Sequence, residues 1–500
     1  METSAINLGK SHRILTMNTL AFTVCFAVWT LNGVLATFLS DKGVFPLGPV
    51  ELGWLLGIPI LTGSIFRLPI GVITDRIGGK WVFVGILLFC AVSVFLLSFI
   101  NSISQYIILS FCFGMAGTGF AVGIAYTSVW YPKEWQGRAL GIFGMGNAGA
   151  ALTTLFAPTL LNKFTDNGTN LDGWRMLPKI YALILLVMAI LFILLTENKK
   201  PNTPPRTISK MLEPLKSVRV WRFGLYYFLV FGCFVAFSQW LVPYFVNVYE
   251  TSLVVAGIFA SIFSFPSGVI RALGGWMSDK WGARQVMIWV FQWSIVISAL
   301  LIFPRMTIIT PGKGIMAAKN GKVVEVTNNI IKVDSKEYLL KTKQETSENE
   351  KWNILPTKIS WQEPVVQVGE EVKKKQLLAR GVTQVKFEAN MWIYGLLVTI
   401  IGIVWGIGKA AVYKYIPDYF PNDVGAVGGM VGVIGGLGGF ICPILFGYLL
   451  DWTGLWTSCW MLMLVISIIC YWWLRKVINA IVKEKAPQVA ELMERNNGKK

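Results

Sequence analysis

The amino-acid sequence predicts an all-α membrane protein: twelve transmembrane helices in two pseudo-symmetric six-helix bundles, with a small inserted extracytoplasmic β domain. Of the 500 residues, 54% are hydrophobic and 14% are charged, whereas a soluble domain carries about a quarter charged residues. Apolar stretches of about 20 residues, the length that crosses a bilayer, occur twelve times. A repeated motif relates the two sets of six, and one segment between the ninth and tenth stretches has a β-strand pattern.

The charge and the rarer residue types argue against several other classes of protein. The net charge of +18 is spread over short loops between apolar stretches, where basic residues orient membrane helices, so nucleic-acid binding is not expected. All seven cysteines lie in apolar stretches without paired spacing, and the single histidine, His12, has no cluster of partners. We therefore predict neither an enzyme nor a protein with a metal or a cofactor.

The twelve apolar stretches are arranged as six, a linker and six more. The linker is rich in proline and carries six basic residues, and basic residues concentrate in the cytoplasmic loops of membrane proteins. Applied to every loop, this rule predicts that both termini are cytoplasmic. The stretches cover residues 14–38, 50–72, 81–100, 105–130, 138–162, 177–196, 221–247, 252–276, 285–304, 391–413, 424–450 and 455–475.

The segment at residues 306–389 follows a β pattern. GKVVEVTNNIIKVD predicts two strands around a turn at Asn328–Asn329, and VVQVGEEVKKKQLLARGVTQVKF alternates β-branched with charged residues. These hairpins resemble those of barrel-sandwich domains of the biotinyl/lipoyl type, but the methionine-flanked lysine that carries the prosthetic group there is absent. We expect a structural or partner-docking insert outside the cytoplasm, whose partner is unknown.

These observations divide the chain into six parts, and we expect a monomer. The parts are an N-terminal six-helix bundle (1–196), a cytoplasmic linker (197–220), the first portion of a C-terminal bundle (221–305), the inserted β domain (306–389), the remainder of that bundle (390–475) and a cytoplasmic tail (476–500).

An internal repeat links the ends of the second and eighth stretches. The segments Arg67–Lys80 and Arg271–Arg284 align at a constant offset of 204 residues, with Arg on Arg, Gly on Gly and Asp on Asp. The portion GVITDRIGGK resembles the motif that follows the second helix in the major facilitator superfamily, which implies an alternating-access fold. Its charged residues are candidates for a gating charge lock between the halves, and the alternative is that the aspartates cap helices. The candidate gating residues are Asp75, Arg76, Asp279 and Lys280.

Arg67 and Arg271 lie deep in the membrane, because each precedes its motif aspartate by eight residues, roughly 12 Å of helix. A charged residue at that depth faces the interior or a water-filled cavity and has a functional role by default. No Asp or Glu lies deep within any apolar stretch. Two cations without counterions predict a mobile anion between them, and guanidinium suits a planar oxyanion. The alternative is that both arginines bond backbone carbonyls at helix breaks.

Glycine clusters occupy the fifth and eleventh stretches. Such glycines permit close helix approach and bring backbone to a small ligand, and Asn147 beside them can donate or accept a hydrogen bond. The candidate glycines for the binding site are Gly144, Gly146, Gly436 and Gly438.

The chain resembles the nitrate/nitrite porter family of the major facilitator superfamily over all twelve stretches. The most specific segments are GMGNAGAALTTLFAP and GAVGGMVGVIGGLGGFICP, together with the two arginines. The resemblance implies that Arg67 and Arg271 clamp nitrate or nitrite and that Asn147 contacts the anion. It also implies a substrate-binding Tyr227 and pocket walls formed by Phe231 and Phe120. A bacterial inner-membrane location follows from the same resemblance, and the β insert departs from the family's usual pattern.

Two mechanisms could supply the energy for anion uptake. Moving an anion into a negative-inside cell costs about 2.3 kcal/mol per 100 mV, so uptake requires exchange or a proton. The absence of deep carboxylates and histidines favours nitrate/nitrite exchange. Lys409 lies in a sequence segment that resembles the proton-coupled subgroup of the family, which favours nitrate/proton symport. The alternative is that Lys409 is a snorkelling anchor. Further alternatives are a carrier of another small anion and a membrane receptor that senses through the β insert.

Overall fold

The computed structural model describes residues 8–200, 212–303, 306–343, 357–387, 390–420 and 424–485. The chain separates into two compact units. The helical unit comprises residues 1–302 and 395–500, and the insert unit comprises residues 303–394.

Eleven helical segments of the described chain are long and apolar enough to cross a membrane, and one bent pair of helices supplies a twelfth. The predicted twelve-helix membrane fold is therefore confirmed. We number these segments as spans 1 to 12, with spans 1–6 forming the N-terminal half and spans 7–12 the C-terminal half. Their helices are Leu8–Trp29 and Asn32–Asp41 (span 1), Pro49–Ile65 and Arg67–Ile77 (span 2), Gly79–Leu97 (span 3), Ile103–Phe113 and Gly119–Trp130 (span 4), Lys133–Gly144 and Gly149–Phe164 (span 5), Met176–Leu195 (span 6), Val218–Tyr227 and Cys233–Tyr249 (span 7), Leu253–Val269 and Arg271–Trp281 (span 8), Ala283–Leu301 (span 9), Met391–Tyr419 (span 10), Val424–Thr453 (span 11) and Ser458–Lys485 (span 12).

Span 8 is not the single stretch predicted at residues 252–276. Its helix stops after Val269, bends by 44° and resumes at Arg271. Span 2 is interrupted at one residue, Phe66, directly before Arg67, without so sharp a bend. Pro69 has no amide hydrogen and cannot complete the helical hydrogen bond to Ile65, which accounts for the break in span 2. Both arginines therefore start the second helix of a broken span.

The backbone repeats its geometry at the offset of 204 residues. Phe66 and Ile270, the residues at the two breaks, have ψ angles of −5° and −8°. Gly78 and Gly282, which end the two motif helices, have φ angles of +99° and +82°, a conformation that only glycine adopts without strain. The repeat seen in the sequence is thus also a repeat of backbone conformation.

Close glycine contacts join the halves at one end of the helical unit. An added β-carbon would lie 2.4 Å from the Pro443 carbonyl oxygen at Gly53, and 2.1 Å from the Thr154 carbonyl oxygen at Gly257. Only glycine allows backbones to approach so closely. Spans 2 and 11, and spans 5 and 8, are therefore in tight contact at this end, which we call the closed end.

Towards the other end, which carries Asp75 and Asp279 and which we call the motif end, the same helices diverge. Gly71 and Gly275 lie one helical turn beyond Arg67 and Arg271 on the same helix faces. Yet within the described residues no atom outside the local turn of helix lies within 4 Å of where a β-carbon would project. Gly141 and Gly429, in spans 5 and 11, are equally open. These four helices are therefore packed less tightly at the motif end than at the closed end.

The insert unit consists of two antiparallel sheets. One has the strand order β1–β7–β5 and the other β4–β3–β2–β6. The predicted hairpin GKVVEVTNNIIKVD is confirmed as β2 paired with β3 around Asn328–Asn329. Buried residues from both sheets, including Val323, Ile331 and Leu378, form one apolar core. The strands are β1 (Met306–Met316), β2 (Gly321–Val326), β3 (Ile330–Val333), β4 (Lys336–Leu339), β5 (Thr357–Pro364), β6 (Glu371–Val372) and β7 (Leu377–Phe387).

Candidate functional site

Arg67 crosses from the N-terminal half to the C-terminal half. Its side chain is buried, and its Nη1 donates to the Gly432 carbonyl of span 11 at 2.8 Å. Its Nε donates to the Gly117 carbonyl of span 4 at 3.3 Å. The remaining nitrogen, Nη2, has no hydrogen-bond partner in the described part of the chain. The alternative expectation of arginine-to-carbonyl bonds is therefore met for two of the three nitrogens, and one donor is left for a ligand.

Arg271 makes the reciprocal crossing from the C-terminal half. Its side chain lies against span 5, where a β-carbon added to Gly144 would be 3.2 Å from Nη1. That Nη1 is buried and has no hydrogen-bond partner among the described residues. Each half thus extends one arginine towards a glycine helix of the other half.

Within the described ranges, no carboxylate lies within ion-pair distance of Arg67 or Arg271. The ion pairs that form involve other residues, such as Asp279 with Lys414 and Asp172 with Arg175. Charge buried without a partner is costly unless an opposite charge arrives. The two guanidinium groups therefore create a site that favours an anion.

Aromatic rings surround the two guanidinium groups. Both lie over the ring of Phe120, with Cζ-to-centroid distances of 5.3 Å for Arg67 and 5.8 Å for Arg271. Phe231 lies 5.6 Å from Arg67 and Tyr413 lies 5.5 Å from Arg271. These rings exclude water, and their faces stabilise the cations while no anion is bound.

Tyr227 connects the two sides of this aromatic cluster. Its ring stacks on Phe231 at 4.9 Å and meets Tyr413 edge to face at 5.0 Å. It lies within electrostatic range of both Arg67 and Arg271. The structure thus places Phe120, Tyr227 and Phe231, three of the candidate site residues, beside the arginines.

Irregular helical segments carry the site. Spans 4 and 5 contain 3₁₀ segments at Gly114–Thr118 and Met145–Ala148, and span 7 contains a π segment at Phe228–Gly232. Departures from α geometry release backbone groups for other bonds and are frequent at functional sites. Here the Gly117 carbonyl accepts from Arg67, Asn147 lies within the second 3₁₀ segment, and Tyr227 directly precedes the π segment.

Unpaired buried polar atoms also occur within three residues of Gly144 in span 5 and of Arg67 in span 2. Both Oδ1 and Nδ2 of Asn147 are buried and unpaired within the described residues, and so is the Oγ of Ser64 in span 2. Buried polar atoms in proteins are nearly always hydrogen-bonded, so each unpaired one requires an explanation. A bound oxyanion or water would supply the missing partners.

The four predicted glycines divide into two kinds. Gly144 faces Arg271, and Gly436 faces Arg67 at 3.3 Å from an added β-carbon to Nη1. Gly146 instead packs against Phe22 of span 1, and Gly438 packs against Gly232 of span 7. The prediction that Gly146 and Gly438 line the site needs correction, because their helical phase directs them to neighbours in their own half.

The predicted gating residues make local contacts in this conformation. Asp279 pairs with Lys414 at 2.6 Å, within the C-terminal half. Lys280 lies 5.1 Å from the ring of Trp276, and Arg76 is exposed. These contacts of Asp279 and Lys280 stay within the C-terminal half, which is consistent with halves that diverge at the motif end.

Lys409 is completely buried in span 10. Its Nζ donates to the Ser267 hydroxyl at 3.0 Å and lies 3.0 Å from the centroid of the Phe234 ring. A snorkelling anchor would place the ammonium at the membrane surface, so that interpretation is wrong. Ser267 precedes Arg271 by one helical turn, and the charge of Arg271 acts electrostatically on Lys409.

Three residues of the site were missed in the sequence. The Trp29 ring lies 5.5 Å from Arg67, Ser64 carries the unpaired Oγ described above, and the Tyr413 ring lies 5.5 Å from Arg271. Ser64 precedes Arg67 by three residues and so shares its helix face. This spacing is a signal in the sequence from which Ser64 could have been predicted. Trp29 and Tyr413 carry no local signal, because only the packing of spans 1 and 10 brings them to the arginines.

Comparison with known proteins agrees with this geometry. The family model for the Major Facilitator Superfamily matches residues 17–318 and 377–494. The "Probable nitrate/nitrite antiporter NarK1" of Thermus thermophilus is 36% identical over 480 residues, covering 95% of this chain and 93% of that protein. The chain belongs to the nitrate/nitrite porter family of the major facilitator superfamily.

Two further known proteins are less similar to this chain in sequence. The "Probable nitrate transporter NarT" of Staphylococcus carnosus (strain TM300) is 26% identical, covering 90% of this chain and 92% of that protein. A solved structure of a bacterial homolog to the human lysosomal transporter Spinster, titled as inward-facing and occupied, has a TM-score of 0.62 at 13% identity and covers 93% of this chain and 96% of that one. This likeness, at 13% identity, shows the fold alone.

Proposed function

We propose that this porter moves nitrate and nitrite across the membrane by alternating access, in exchange for one another. The observation that carries the proposal is the pair of arginines at equivalent positions of the two halves, each with an unpaired buried nitrogen and without a carboxylate in the described chain. The names of its relatives, a nitrate/nitrite antiporter and a nitrate transporter, support the choice of anion.

The bound anion would lie between the two guanidinium groups. Arg67 Nη2 and Arg271 Nη1 would donate to its oxygens, and the amide of Asn147 would donate a further bond. Gly144 and Gly436 leave no side chain at the places where the arginines meet the opposite half, so a small planar anion suits the site. Phe120, Phe231 and Tyr227 would exclude water and strengthen these bonds.

Exchange follows from the charge of the site. Closing the motif end around two uncompensated cations would bury both charges without partners, which is unfavourable. A bound nitrate or nitrite offsets this cost, so the loaded site changes conformation more readily than the empty one. We place the motif end in the cytoplasm because of its basic loops. Closure there would bring Asp75 and Arg76 towards Asp279 and Lys280, forming the predicted lock.

The decisive experiment measures nitrate uptake into proteoliposomes, with and without nitrite loaded inside, at matched pH and then across an inward proton gradient. Uptake that requires internal nitrite and ignores the proton gradient is the expected result. Uptake into anion-free vesicles driven by the proton gradient would refute exchange. Competition by formate, acetate or chloride at equal strength would refute nitrate selectivity and favour a carrier of another anion.

Proton symport is the second candidate because of Lys409. An ammonium buried in the membrane, with one hydroxyl and one aromatic ring as its nearest partners, is an unusual cation. Its hydrogen bond to Ser267 connects it to the helix that leads to Arg271. Release of its proton as the anion leaves would couple the two movements. The proton-gradient arm of the experiment above distinguishes this mechanism from exchange.

A further inference from the structure

An apolar groove lies on the outer surface of the N-terminal half, apart from the arginine site. It has a volume of about 310 Å³ and every residue that lines it is apolar. The span 2 helix Arg67–Ile77, the start of span 3 and Met115 of span 4 form its walls. Trp81 and Phe89, on span 3, are about half exposed. The groove therefore faces the lipid and not the path of the anion.

Gly85 forms the floor of the groove, and as a glycine it has no side chain to fill the space above it. Among the described residues, no atom outside the local turn of helix lies within 4 Å of where a β-carbon on Gly85 would project, so a larger residue would fit there. The equivalent residue in the C-terminal half, 204 positions later, is Trp289, whose ring meets Trp281 at 5.5 Å. The two halves share helix bounds here, Gly79–Leu97 and Ala283–Leu301. One half therefore fills with its own tryptophan a space that the other half leaves open.

The mouth of the groove is basic. Ile77 and Trp81 line it at the motif end, and Arg76 and Lys80 are their chain neighbours. Arg76 is exposed, and Lys80 donates to the Ile193 and Thr196 carbonyls at the end of span 6. From Trp81 the groove runs inward to Phe89, about 12 Å along the helix. A positive charge at the interface and an apolar channel below it together match the two parts of an anionic phospholipid.

We propose that this groove holds one acyl chain of an anionic phospholipid, whose phosphate binds beside Arg76 and Lys80. The volume corresponds to roughly ten water-sized groups, which is a segment of an acyl chain and not a whole lipid. Ile70, Ile73 and Ile77 belong to the helix that begins at Arg67 and ends at the motif. The acyl chain thus packs against the part of span 2 that must move when the motif end closes. It therefore stabilises the conformation described here.

The test counts phospholipids retained by the purified full-length protein in native mass spectrometry, with phosphatidylglycerol or phosphatidylcholine added at equal concentration. Gly85→Trp copies the C-terminal half and should lose one retained phosphatidylglycerol per protein. Leu88→Trp, on the lipid side of the same helix but outside the groove, should retain it. Arg76→Gln should retain phosphatidylglycerol about fivefold more weakly while its retention of phosphatidylcholine stays unchanged.

Unchanged retention by Gly85→Trp would overturn the proposal, and so would equal loss in Leu88→Trp. Equal retention of both lipids by the wild type would overturn the role of the basic mouth. Gly85→Leu provides a smaller filling residue if the tryptophan variant does not fold, and it should also lose one lipid. These outcomes are independent of which anion the porter carries.

Discussion

Arg67 and Arg271 act through the shape of guanidinium as much as through its charge. Replacement of either by lysine keeps the cation but removes the planar fork of donors. In Arg67 this fork bonds two backbone carbonyls and leaves Nη2 for the proposed anion. Since one hydrogen bond to a charged group contributes about 1.5–3 kcal/mol, we expect Arg67→Lys and Arg271→Lys each to lower nitrate uptake about tenfold or more. Arg13→Lys, at the exposed start of span 1, is the control. Near-normal uptake in either site variant would refute the clamp.

Lys409 provides the second prediction at this scale. Lys409→Gln keeps a hydrogen-bonding side chain beside Ser267 but cannot carry a proton. If the lysine couples transport to protons, the variant should lose any pH dependence of nitrate uptake and retain nitrate/nitrite exchange. The measurement is uptake across a series of external pH values, with the exposed Lys42→Gln as the control. A pH profile that matches the wild type would remove Lys409 from the coupling mechanism.

The site residues differ in how far the sequence could predict them. Arg67 and Arg271 stand out because a buried cation repeated at one offset has few structural explanations. Gly144 and Gly146 could not be separated, since two positions differ by about 200° around a helix and the sequence does not give the helix rotation. Tyr413 comes from a distant span, so only the three-dimensional packing reveals it.

At the scale of elements, we expect the glycines of spans 2, 5, 8 and 11 to determine which end of the helical unit is open and which is closed. Gly275 faces open space now but should meet the other half when the motif end closes. We expect Gly275→Leu to lower uptake about tenfold by steric exclusion while anion binding and the melting temperature stay close to wild type. Gly257→Leu should instead lower the melting temperature, because its side chain would collide with Thr154 at the closed end. Uptake by Gly275→Leu at the wild-type rate would contradict the proposed closure.

The elements themselves show where hydropathy stops being informative. Apolar length gave the number of spans, because a bilayer imposes that length on every helix. It did not indicate that span 8 breaks before Arg271, since the break leaves the composition apolar on both sides. The 3₁₀ and π segments were equally invisible, as they depend on contacts with neighbouring helices. These irregular segments nevertheless contain or adjoin residues of the arginine site.

At the scale of the whole molecule, the insert unit forms a core of its own, so the porter should not need it. Its first and last strands pair directly, with Met306 opposite Phe387, and paired strands lie about 5 Å apart. A short glycine-serine linker can therefore replace residues 311–388 without stretching the helices on either side. We expect the shortened chain to exchange nitrate for nitrite at a rate within about twofold of the full chain, as the residues of the arginine site all lie in the helical unit.

The same deletion distinguishes a porter from a receptor that senses through the insert. Uptake into nitrite-loaded proteoliposomes is the measurement, and the melting temperature in detergent checks that the helices still fold. A well-folded shortened chain with no exchange would mean that the insert takes part in the cycle. Exchange retained by the shortened chain would instead assign the insert to binding a partner or to regulation, since the conformational cycle would then need only the two helical halves and the anion between them.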